Sequence, residues 1–152
     1  MPHNRGIIHV RLLPVVNRPK ITMLYETDVW LLKMMPGWEA TKDEECITFA
    51  KIDSGFGAFQ ISCYVKVNGF VTDEELEDFA EGDSLDGADV EKVNFPIFTG
   101  IYARHVTGAN YWRRWWLRSG SVMIYATYNC EAVHKDVEQE DVNQMIMTLK
   151  PA

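Results

Sequence analysis

The feature that most constrains this chain is residues 110–130, where three of its five tryptophans and three of its six tyrosines crowd around Ser119-Gly120. Aromatic and β-branched residues suit a pleated surface, and the Ser-Gly pair supplies a turn that tolerates positive φ, so the stretch predicts a β-hairpin. Two-residue periodicity divides its first strand into two faces. Trp112, Arg114, Trp116 and Arg118 share one. Tyr111, Arg113, Trp115 and Leu117 share the other. On the returning strand, Val122, Ile124, Ala126 and Tyr128 are compatible with core beside Trp115 and Leu117, whereas Met123, Tyr125, Thr127 and Asn129 belong with the Trp112 side.

Other segments supply more strands and two helices. Residues 29–35 form a bulky apolar run ending at Pro36-Gly37, a strand and a turn. The acidic residues Asp43, Glu44 and Glu45 predict an exposed hairpin tip leading into a strand over 46–51. Phe59, Ile61, Cys63, Val65 and Val67 alternate with Gln60, Ser62, Tyr64 and Lys66, which predicts a strand with one buried and one polar face. Thr72 with Glu75 three residues later predicts a capping box, followed by an apolar stripe of Leu76, Phe79 and Ala80 and a stop at Gly82. Residues 83–92 carry four acids and predict a surface loop; Leu85 and Ala88 stand where a calcium loop needs an oxygen ligand and a glycine. A second hairpin is expected over 93–98 and 101–107, turning at Thr99-Gly100. Asp136 with Gln139 predicts the start of a last helix whose Val142, Met145, Ile146 and Leu149 share a face, with Pro151 at its end. The sum is an α+β fold: a mainly antiparallel sheet of about six to seven strands with two helices packed on it.

A chain of 152 residues, 47% hydrophobic, has the size of one domain with one core. We expect residues 1–22 to be a leader or N-terminal extension, a loosely docked tail, or an edge strand through residues 7–13. Residues 23–152 form the domain. Arg11 and Pro14 interrupt any signal-peptide core, and no apolar run approaches the roughly 18 residues of a membrane span. The first 22 residues hold four basic residues and no acid, so the rest of the chain is more acidic than the net charge of −7 suggests. That balance disfavours nucleic acid, whose phosphates need a basic face, and favours a partner with a basic surface. Three cysteines without close pairing form neither a disulfide framework nor a zinc motif, which suits a reducing, cytoplasmic setting.

A resemblance enters through Trp30 with Pro36-Gly37-Trp38, Gly57-Ala58-Phe59-Gln60-Ile61-Ser62, Trp112 to Trp116, and Thr127-Tyr128-Asn129. These look like a family of small bacterial proteins whose architecture is similar to the PsbP-like fold, named for a photosystem extrinsic subunit and shared with a Ran-binding factor. The resemblance covers about residues 25–150. It implies a fold and a habit of binding proteins, and it brings no catalytic residue with it.

Chemistry is sparse. No nucleophile elbow is present, and Ser119-Gly120-Ser121 is better explained by its turn. Cys130, His134 and Asp136 are the nearest approach to a thiol, base and orienter in one stretch, against a half-buried cysteine and a solvent-facing histidine. His105 stands alone on a strand, where a hydrogen-bonded structural role is usual. No catalytic residue, metal site or cofactor is expected. The candidate binding residues are Trp112, Arg114, Trp116, Arg118, Tyr125, Gln60 and Tyr64. Trp, Tyr and Arg are enriched at binding hot spots, but the same rings could lie under the helices with arginine stems covering them. The function expected is a non-enzymatic protein-binding domain, an adaptor or immunity-like protein; the alternative is a small-molecule binder or enzyme using this aromatic and arginine face as a pocket.

Overall fold

The structure is a computed structural model, and it describes residues 23–82, 85 and 87–152. The expected edge strand over residues 7–13 lies outside them. In chain order the elements are β1 (Met23–Glu26), β2 (Trp30–Met34), β3 (Trp38–Lys42), β4 (Ile47–Lys51), β5 (Gly57–Val65), α1 (Asp73–Glu81), β6 (Asp89–Asn94), β7 (Thr99–Thr107), β8 (Asn110–Ser119), β9 (Val122–Glu131), α2 (Gln139–Met147) and β10 (Lys150–Pro151). Strands β3-β4-β5-β9-β8-β7-β6 form a seven-stranded antiparallel sheet. A second, three-stranded sheet has the order β1-β2-β10. The fold is therefore α+β. No helix of the described residues is long and apolar enough to cross a membrane.

The expected hairpin is β8–β9, with Trp116 opposite Tyr125 and Arg114 opposite Thr127. Its two-residue loop is Gly120-Ser121, one position later than the composition suggested, with Gly120 at φ 59°. A positive φ confined to the first loop residue is the turn whose twist suits two strands, and glycine adopts it without a Cβ penalty.

One face of the large sheet meets the small sheet and α2. Its core holds Tyr111, Trp115 and Leu117 of β8, Ile124, Ala126 and Tyr128 of β9, and Phe59 and Ile61 of β5. Trp30, Leu32 and Met34 of β2 and Val142, Met145 and Ile146 of α2 close over them. Trp38 Nε1 also donates to Asp141 Oδ2 at 2.9 Å, which ties α2 to the β3 edge. The opposite face is covered in part by α1, whose Leu76 and Ala80 pack with Trp116, Ala103 and Met123.

Thr72 caps α1 as expected, its Oγ1 accepting from Glu75 N at 3.2 Å. Phe79 of the expected stripe is half exposed, and Gly82 ends the helix in a right-handed conformation.

Several expectations shift. The 29–35 strand exists as β2, but it joins the small sheet; the acidic tip belongs to a separate β3–β4 hairpin, with Asp43 Oδ1 accepting from Glu45 N and Cys46 N. The apolar alternation of β5 leaves the core at Cys63, because the strand outruns the layer above it and Cys63 and Val65 are exposed. Of the expected acidic loop, residues 83, 84 and 86 lie outside the described residues, and its later part is strand, because β6 starts at Asp89. This strand is the sheet's outer edge, where charged residues facing solvent replace alternation and discourage further pairing. The β6–β7 turn is Phe95-Pro96-Ile97-Phe98, closed by Phe95 N donating to Phe98 O, and Thr99-Gly100 lies within β7. Gly100 serves close approach instead: a Cβ there would stand 1.9 Å from the Trp116 carbonyl oxygen. The last helix starts after Glu138, not Asp136, and Lys150–Pro151 pair with β2.

Candidate binding face

All seven candidate residues fall on one face of the large sheet. The register places Arg118 beside Met123 and Tyr64, Trp116 beside Tyr125 and Ser62, Arg114 beside Thr127 and Gln60, and Trp112 beside Asn129 and Ala58. Helix α1 divides that face. Trp116 is only 1% exposed beneath Leu76 and Ala80, with the Tyr125 ring packed against it at a tilt, centroids 5.6 Å apart. Arg118 Nε donates to Asp73 Oδ1 of α1 at 2.6 Å. That contact holds the exposed Asp73 carboxyl below its usual range. These residues anchor the helix.

Away from α1 the face is more open. Trp112 and Arg114 are half-buried, and the Arg114 guanidinium sits over the Trp112 ring at 5.0 Å. Gln60 Nε2 donates to Thr48 Oγ1 of β4 at 3.1 Å; the exposed Tyr64 lies instead in the Arg118–Met123 row at the α1 end of the face. His105 of β7 pairs with Trp112 in the register; burial first, then the nearby Arg114 charge, lowers its pKa and favours neutral imidazole. The sequence thus brings these residues to one face, and the position of a nine-residue helix decides which can meet another molecule.

Two functional-looking groups escaped the sequence. Arg113 is on the core face, as alternation requires, yet it is charged and 6% exposed. Its Nε donates to Tyr102 Oη at 2.8 Å and its Nη2 to Asn143 Oδ1 of α2. The guanidinium also lies over the rings of Trp115 at 4.7 Å and Tyr102 at 5.3 Å. The available signal was an arginine in the apolar register of an aromatic strand. The second is Glu138, fully buried, which accepts from Tyr128 Oη at 2.8 Å, Gly57 N at 2.9 Å and Phe56 N at 3.3 Å. It fastens the start of α2 to β5 and β9. Burial, then the Glu138 contact, raises the Tyr128 pKa and keeps its hydroxyl a donor.

The Cys130, His134 and Asp136 stretch is otherwise engaged. Burial pushes the Cys130 thiol up, the reverse of what a nucleophile needs, and the His134 ring packs on Phe56 at 4.3 Å. All three cysteines are free thiols. Among the described residues no cluster of three or more His, Cys, Asp or Glu could hold a metal ion.

No family model and no curated protein matches the chain. Among solved structures, a crystal structure from Bacteroides thetaiotaomicron VPI-5482 is similar, with a TM-score of 0.60 and 16% identity. The match covers 81% of this chain and 45% of that one, so the shared region is less than half the length of the neighbour. At that identity the likeness shows the fold alone.

Proposed function

We propose that this chain is a non-enzymatic protein-binding domain, adaptor-like or immunity-like and PsbP-like in architecture, that receives its partner on the part of the large sheet left open by α1. The observation that carries this reading is the division of that face. Trp116 and Arg118 are spent on the helix, while Trp112, with the Arg114 guanidinium over its ring, stays only half-buried, and Thr127, Gln60 and Thr48 continue the Arg114 row across the sheet. A rigid ring bearing a directional polar group contributes large contact area at small entropy cost. The exposed acids Glu74, Glu77 and Asp78 of α1, the helix that covers the rest of this face, supply negative charge that steers a basic partner towards it.

The test is capture by the full chain with cross-linking, using Trp112→Ala and Arg114→Ala. Both variants should keep the native circular dichroism and lose the cross-linked partner. Capture that survives both substitutions, or no partner in any extract, would refute the reading. Trp116→Ala is unsuitable here, because that ring supports α1.

A further inference from the structure

The opposite side of the same strand carries a second, independent feature. Between α2 and strands β6–β8 lies a groove of about 350 Å³, within the range of small-ligand sites. Val93, Phe95, Trp115, Ile146 and Met147 give it apolar walls, and Arg113 and Tyr102 line it as well. A guanidinium has five N–H donors in a planar fork. Arg113 uses its Nε on Tyr102 and its Nη2 on Asn143, but its buried Nη1 has no hydrogen-bond partner.

The neighbours that engage Arg113 are also uncharged. Tyr102, Asn143 and Trp115 bring no negative charge to it. The adjacent Tyr111 has its pKa pushed up to about 12, mainly by burial, so its hydroxyl stays protonated. Ring faces soften the cost of burying the cation, but they bring it no negative charge. Desolvating a cation is expensive unless an anion and hydrogen bonds compensate it.

We propose that this groove binds a small organic monocarboxylate with an apolar or aromatic body, its carboxylate accepting from Arg113 Nη1, which is covered until the groove lining opens, and its body lying against Phe95, Trp115 and Ile146. A single negative charge matches Arg113, the one cation without an acidic partner among the described residues lining the groove. Arg104, the other base lining the groove, already pairs with Asp89 at 3.6 Å, and Glu91 at the rim opposes a dianion such as phosphate. Met147, 48% exposed, unbranched and part of the groove lining, is the side chain that swings aside on entry.

The experiment is ligand-observed NMR and titration calorimetry on the full chain with phenylacetate, indole-3-acetate and 4-methyl-2-oxopentanoate, beside phenylacetamide, indole-3-acetamide and inorganic phosphate. At least one acid should bind about tenfold or more tightly than its matched amide or than phosphate, as expected for a charge-assisted contact. Arg113→Gln should abolish that preference. Met147→Trp, which fills the groove mouth from a half-exposed position and leaves Arg113 intact, should abolish binding while preserving the fold. Should Arg113→Gln fail to fold, the acid–amide comparison and Met147→Trp decide the matter. Silence from all three acids, equal binding of acid and amide, tighter binding of phosphate, or acid binding unchanged by Met147→Trp would each overturn the proposal.

Discussion

Replacing Glu138 with alanine tests how the start of α2 is held. The buried carboxylate accepts two well-placed bonds, from Tyr128 Oη at 2.8 Å and Gly57 N at 2.9 Å, and a longer one from Phe56 N at 3.3 Å. Removing it strands two donors, and an unsatisfied buried donor costs about 1–3 kcal/mol, which gives a gross loss of about 2–6 kcal/mol. Relief of the carboxylate's own desolvation offsets part of that, so the expected net cost is about 3 kcal/mol. For a chain of this length the loss corresponds to roughly 10 °C in melting temperature. The assay is urea unfolding at neutral pH followed by tryptophan fluorescence, with Tyr128→Phe and the double variant completing a cycle. Glu138 and Tyr128 should couple by about 1 kcal/mol or more, because they share one bond. A cost for Glu138→Ala below about 1 kcal/mol, or additive single effects, would refute the assignment.

Two further outcomes follow from the same geometry. Gly100→Ala places a Cβ 1.9 Å from the Trp116 carbonyl oxygen, so β7 and β8 must part; denaturation should show a loss of about 3 kcal/mol or more, and near-neutrality would contradict the register. His105 has a folded pKa below its ordinary 6.5, lowered by burial and then by Arg114. The unfolded chain therefore binds this proton first as pH falls, so the contribution is complete above about pH 6.5 and is lost below it towards the depressed folded value. His105→Leu should flatten that part of the stability–pH profile, and an unchanged profile would remove His105 as its source.

Much of the fold was legible because local chemistry and tertiary structure agree in it. The β8–β9 hairpin needs only alternation and a glycine, and the Thr72 cap of α1 is satisfied within four residues. Errors gathered where a residue answers to a distant neighbour. Gly100 reads as a turn glycine in sequence, but its reason is the Trp116 backbone on the next strand. Asp89 and Glu91 read as loop residues because an edge strand needs no apolar alternation. Glu138 resembles any surface acid until Tyr128 and Gly57 are folded around it.

The candidate site divides the same way. Strand periodicity by itself determined that Trp112, Arg114, Trp116 and Arg118 share a face and that Arg113 turns to the other side, since side chains alternate at every residue. Only tertiary structure decided that α1 covers Trp116 while leaving Trp112 half-open, and that Arg113 lies beneath α2 with one nitrogen unpartnered. Alternation specifies a direction from the sheet. What stands in that direction depends on the packing of elements far apart in the chain.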